Sequence, residues 1–108
     1  MKRKKKPEAV VYAPKTESYY TGCYAISNNG RYAGRMFIVL GASGDGFVLV
    51  ADGKHRRIAL PKRKSLKHLT ILGVDETAAE LIRSGNATDG IVRKMINQKR
   101  RNSEDEKC

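Results

Sequence analysis

With 108 residues the chain has room for one domain and its tails. A formal charge of +11, from 22 Lys and Arg against 11 Asp and Glu, selects anionic partners. Two cysteines, Cys23 and Cys108, give neither a disulfide framework nor metal-ligand spacing and suit a reducing cytoplasm; no apolar run approaches the roughly 18 residues of a membrane span, so neither membrane insertion nor a cofactor is expected.

Residues 1–20 join the lysine block after Met1 to KPEAVVYAPKTESYY, which sustains neither a strand nor a helix period and predicts a flexible basic tail. AVVYA is too short for the roughly 7–15 apolar residues of a secretion signal, so export is not expected. From Gly22 short apolar runs alternate with turn signals: CYAIS, RMFIVLG, FVLVA and KHRRIALP, separated by SNNGRYAG, ASGDG and DG. Runs of β-formers at this spacing predict a small antiparallel barrel or sandwich over residues 21–73. Asn28-Asn29-Gly30 and Gly44-Asp45-Gly46 mark reversals, and Asp52-Gly53 between FVLVA and KHRRIAL predicts a two-residue type I′ hairpin. A short fifth strand is expected at His68 to Leu72.

Residues 74–108 change to a helical pattern and should supply the core that so small a sheet lacks. VDETAAELIRSG predicts one helix ending at Ser84-Gly85, with Leu81 and Ile82 as its apolar face. Thr88 is a candidate N-cap for a second helix, whose Ile91, Val92, Met95 and Ile96 build one apolar stripe. The closing NSEDEKC is polar and should fray.

Charge is distributed unevenly. Residues 1–20 hold six basic and two acidic groups, residues 21–73 nine and two, and residues 74–108 seven of each. The basic excess therefore belongs to the first two thirds, and the charge-balanced helical third is expected to add little to binding. Lys62, Arg63, Lys64 and Lys67 lie within six residues after Pro61, directly beyond Arg56 and Arg57. Such a cluster on the rim of a small β domain is the footprint of a phosphate-backbone binder, with RNA as the expected partner. Lysines on a solvated edge that discourages strand pairing are the plainer reading of Lys62, Arg63 and Lys64.

Aromatic residues make up 6% of the chain, with no tryptophan, so base stacking cannot carry the affinity and binding should rest on shape and phosphate. Tyr24 and Phe37 are expected in the core and Tyr32 free at a turn. Gly34 serves a positive-φ turn, close approach to phosphate, or both. His68 fits a hydrogen-bonded rim position as well as an RNA contact, and His55 reads as plain surface.

The segment from Gly22 to Gly73 resembles the KOW-motif proteins, in particular the archaeal and eukaryotic large-subunit ribosomal protein fourteen-e family and its short bacterial relatives. The shared features, in order, are the Ser27-x-x-Gly30-Arg31 turn, the Gly34-Arg35 pair opening an apolar strand, Ala51-Asp52-Gly53, and Pro61-Lys62-Arg63-Lys64-x-x-Lys67-His68-Leu69. The resemblance implies an SH3-like barrel (a KOW domain) that binds RNA, above all ribosomal RNA, beside ribosomal proteins. On that reading Arg31, Gly34, Arg35 and Lys54 join the basic rim as candidate RNA contacts.

Two other classes fit the residues less well. A protein-interaction module of the SH3 type needs an aromatic-lined groove to dock a peptide, and aromatics are few. An enzyme acting on a small-molecule substrate needs a nucleophile and base, and two histidines with plain explanations and cysteines at opposite ends supply none.

Overall fold

A computed structural model describes residues 20–107 of the protein. Five strands, β1 (Cys23–Ser27), β2 (Met36–Ala42), β3 (Phe47–Ala51), β4 (Lys62–Ser65) and β5 (Leu69–Val74), form one antiparallel sheet in the order β4-β3-β2-β1-β5. A 3-10 turn at Leu66–His68 joins the two edge strands, which do not pair with each other, so the sheet remains open. Helices α1 (Glu76–Arg83) and α2 (Asp89–Lys107) follow. The mainly-β class with a two-helix extension is as expected. The tail expected over residues 1–20 lies outside the described residues except for Tyr20, which packs on the sheet and accepts a hydrogen bond from Cys23 N at 2.9 Å.

Alternation along the strands divides the apolar residues between two faces. Cys23, Ala25, Phe37, Val39, Val48, Val50 and Leu69 gather on one face without help from either helix. The opposite face carries Tyr24, Met36 and Ile38, which pack against Ala78, Val92 and Ile96 of the helices. Register irregularities at Tyr24/Ala25 and at Val39/Gly41 bend β1 and β2, and such bulges increase the local twist. A strongly twisted sheet can thereby bury an apolar cluster on a face that no helix covers.

One predicted hairpin is absent. Asp52-Gly53 does not turn the chain directly into a strand; residues 52–61 form a loop and β4 begins only at Lys62. The Asp52 carboxylate accepts from Lys54 N (2.9 Å) and Arg56 N (2.8 Å), and Asp52 N and Gly53 N both donate to Arg56 O. Satisfying its own loop in this way outcompetes the hairpin ladder. Ile58 then donates its backbone N–H to Asp89 Oδ1 of α2 at 2.8 Å, which holds RRIALP out of the sheet. The reversals at Asn28-Asn29-Gly30 and Gly44-Asp45-Gly46 occur where expected, and β5 runs two residues further than its pattern suggests.

α1 starts at the N-cap Asp75, whose side chain accepts from Ala78 N at 3.2 Å, and ends with Gly85 at φ +78. Its deepest residues are Ala78 and Ala79 rather than Leu81 and Ile82. The reason is proximity: a Cβ on Gly22 would stand 2.6 Å from Ala79 Cβ, so only small residues let the helix lie this close to the start of β1. Thr88 Oγ1 accepts from Ile91 N at 3.2 Å, as an N-cap does. α2 then continues to Lys107, beyond the expected fraying point, because no Gly or Pro interrupts its last turns.

Candidate nucleic-acid interface

Three chain segments converge on a depression of about 260 Å³: the turn at Gly30 to Tyr32, Arg56 from the 52–61 loop, and Lys62 and Lys64 from β4. Tyr32 is its anchor. The ring stands edge-on to Phe37 (centroids 6.0 Å apart, planes at 89°), while the Arg35 and Arg56 guanidinium carbons lie 5.5 and 5.8 Å from its centroid. It is therefore half-buried and engaged rather than free, because a ring beside two guanidinium groups gains from both cation–π attraction and burial. Arg56 Nε is buried without a hydrogen-bond partner among the described residues, so the aromatic contact is what fixes this group.

The basic run on β4 splits by strand alternation. Lys62 and Lys64 line the depression. Arg63, between them, turns to the β2–β3 hairpin: its Nε donates to Ser43 Oγ at 3.1 Å, and its guanidinium carbon lies 3.8 Å from the Phe47 ring centroid. Lys64 Nζ donates to Asn29 Oδ1 at 3.4 Å, and Asn29 Nδ2 lies 3.0 Å from His68 Nδ1. With His68 O accepting from Asn28 N at 2.9 Å, His68 braces the turn that carries Arg31. Arg57 and Lys67 are exposed and line neither this depression nor the cleft next to it. Gly34 has φ +86, and a Cβ at this position would meet no atom within 4 Å, so the turn conformation accounts for the glycine.

The neighbouring cleft, of about 440 Å³, joins the sheet to α2. Arg35 and Lys54 come from the loops, Arg93 and Arg100 from the helix, and Asp52 is the one carboxylate among its lining residues. Arg93 Nη1 donates to Gly53 O, so the guanidinium is positioned by a neutral carbonyl. The neutral sum of residues 74–108 gives no hint of Arg93 and Arg100 at this site. The signal lies in their spacing: with Asn97 they recur at i, i+4 and i+7, one face of a helix. Arg35 lines the cleft and Arg56 the depression, and both approach the Tyr32 ring, which brings the two hollows together.

The hydrogen bonds from the side chains of Arg63, Lys64 and Arg93 end on Ser43, Asn29 and Gly53, all neutral, so these contacts orient charge without cancelling it. Among the described residues no group of three or more His, Cys, Asp or Glu gathers as a metal site, and no helix is long and apolar enough to cross a membrane. Compared with family models and with curated proteins, the chain matches none.

Proposed function

We propose that the protein binds RNA by its phosphate backbone, acting in the cytoplasm on or beside the large ribosomal subunit. The observation that carries this reading is the convergence of Arg31, Arg56, Lys62 and Lys64, from three separate segments, on one depression. Cations collected from distant parts of a chain repel one another, and an anion in their midst relieves that cost. Of the SH3-like barrel that the KOW resemblance implies, the protein has the five antiparallel strands, the 3-10 turn joining edge strands β4 and β5, and an apolar cluster on the helix-free face, but those edges are not paired into a closed barrel. Binding of this kind is non-enzymatic and needs no cofactor.

Ring accessibility supports phosphate over base recognition. Tyr24 and Phe37 are buried, Tyr32 lies beside two arginines and Phe47 beneath Arg63. Such rings offer little to stack a splayed base, which favours structured RNA read by shape. The same scarcity of open rings among the described residues weighs against a peptide-docking module of the SH3 type.

The test is a binding isotherm for a hairpin RNA across a salt series. Replacing Lys62 and Lys64 together by Gln should weaken binding and flatten the log–log salt slope by about two, roughly one per phosphate contact. Arg63→Gln, on the other side of the same strand, should leave the slope unchanged, and Arg83→Gln with Lys94→Gln supplies a charge-matched control. Equal losses in the control and the Lys62/Lys64 variant would mean that only net charge matters and would remove the site.

A further inference from the structure

We infer that α2 forms the second wall of the RNA surface, with Arg93 and Arg100 facing Arg35 and Lys54 across a cleft that receives the continuation of the same phosphodiester backbone. This rests on the RNA reading above. The helix presents Arg93, Asn97 and Arg100 on one face, and that face lines the cleft beside the two loop cations. Four cations are thus set around one concavity, against a single carboxylate. That carboxylate is already engaged: Asp52 Oδ1 accepts two backbone N–H groups, whose dipoles offset part of its charge.

The two walls are held at a fixed separation. Gly53 lies against Asp89 O and Arg93 with no space for a Cβ, Arg93 grips Gly53 O, and Asp89 Oδ1 accepts from Ile58 N at 2.8 Å. The loop that carries Lys54 and Arg56 is consequently fastened to the start of α2, and the helix cannot leave the cleft without disturbing the first depression. Arg56 lines the first hollow and Arg35 the second, and both guanidinium groups approach the Tyr32 ring. A strand passing from one hollow to the other at Tyr32 stays within reach of cationic side chains. Phosphodiester is favoured over an acidic protein surface because the two hollows are lined by guanidinium groups, which match phosphate oxygens, and none of the exposed large apolar residues, Leu60, Leu72 and Val74, is among their lining residues.

Arg93 also supports the loop, so the decisive variant uses two side chains without such a role: Lys54→Gln with Arg100→Gln in the full chain, its thermal transition compared with the unsubstituted protein. Hairpin RNA binding across the salt series should show the slope flattened by about two. Combined with Lys62→Gln and Lys64→Gln, the loss should approach about four, as for independent contacts to one ligand. An unchanged slope for Lys54/Arg100, alongside a flattened slope for Lys62/Lys64, would overturn the second wall and leave the RNA reading intact. Unchanged slopes for both pairs would overturn the RNA reading itself. If the Lys54/Arg100 variant kept its RNA affinity but lost binding to poly-glutamate, the cleft would belong to an acidic protein and the inference would fall.

Discussion

Gly53 and Gly34 both have positive φ, +79 and +86, yet their surroundings differ. An added methyl at Gly34 meets open space, so Gly34→Ala should cost only the backbone strain of a left-handed residue, about 1 kcal/mol. At Gly53 the same methyl would overlap the Asp89 carbonyl and crowd Arg93, so Gly53→Ala should lose about 2–4 kcal/mol, strain and overlap together. Urea unfolding of the two variants checks the ranking; equal midpoints would mean that the loop does not rest on the helix. This glycine is legible in the sequence as a turn residue but its purpose is not, because nothing local announces that a segment 36 positions later packs against it. Tyr32 escapes a sequence reading for a related reason: a tyrosine in a polar turn looks free until Arg56, 24 positions away, is brought to its ring.

Between elements, the clearest tie joins β1 to α1. Tyr24 donates its hydroxyl to Asp75 Oδ2 at 2.8 Å while Asp75 Oδ1 caps Ala78, and Asp75 N donates to Gly22 O at 3.0 Å. Burial, then the hydrogen bond to Asp75 and its negative charge, hold the Tyr24 phenol well above the usual tyrosine range. In the unfolded chain this phenol ionises near pH ~10. Above that pH the unfolded state has lost the proton that the folded state keeps, so stability is complete below about pH 10 and declines as pH rises beyond it. Tyr24→Phe should lower stability at neutral pH by about 1 kcal/mol, the usual net worth of one hydrogen bond, and make the decline above about pH 10 shallower. Denaturant midpoints at neutral and alkaline pH decide this; parallel declines would show that Tyr24 titrates normally. Strands β1, β2, β3 and β5, the two helices and the Thr88 N-cap can be read from sequence because each depends on residues within a few positions, whereas the placement of the fourth strand depends on Asp89, which holds RRIALP out of the sheet. The side of β4 on which a cation stands cannot be assigned until the strand's first residue is known to be Lys62.

Across the molecule, sheet and helices share one interior: Tyr24, Met36 and Ile38 pack against Ala78, Val92 and Ile96. Regional charge totals conceal this. They separate a basic β part from a neutral helical part, whereas folding places Arg93 and Arg100 beside Arg35 and Lys54. A sum over residues 74–108 averages the two faces of α2, and the fold then uses only one of them at the cleft. The candidate contacts on loops and β4 are visible as a cluster in sequence, the helical ones only as a spacing. Arg57, Arg63 and Lys67 show the converse: adjacency in sequence does not put a side chain on a shared surface.

The anchoring of the 52–61 loop to α2 through Gly53, Arg93 and Asp89 also bears on how encounters proceed in time. A surface already in its final shape has little to reorganise on contact, so capture is limited by collision and electrostatic steering. In stopped-flow mixing with hairpin RNA the observed rate should rise linearly with RNA concentration in one phase, and the bimolecular constant should fall as salt is raised. A plateau at high RNA concentration would expose a rate-limiting opening of the loop. Without one, the proposed RNA contact forms on a surface that needs no rearrangement before it binds.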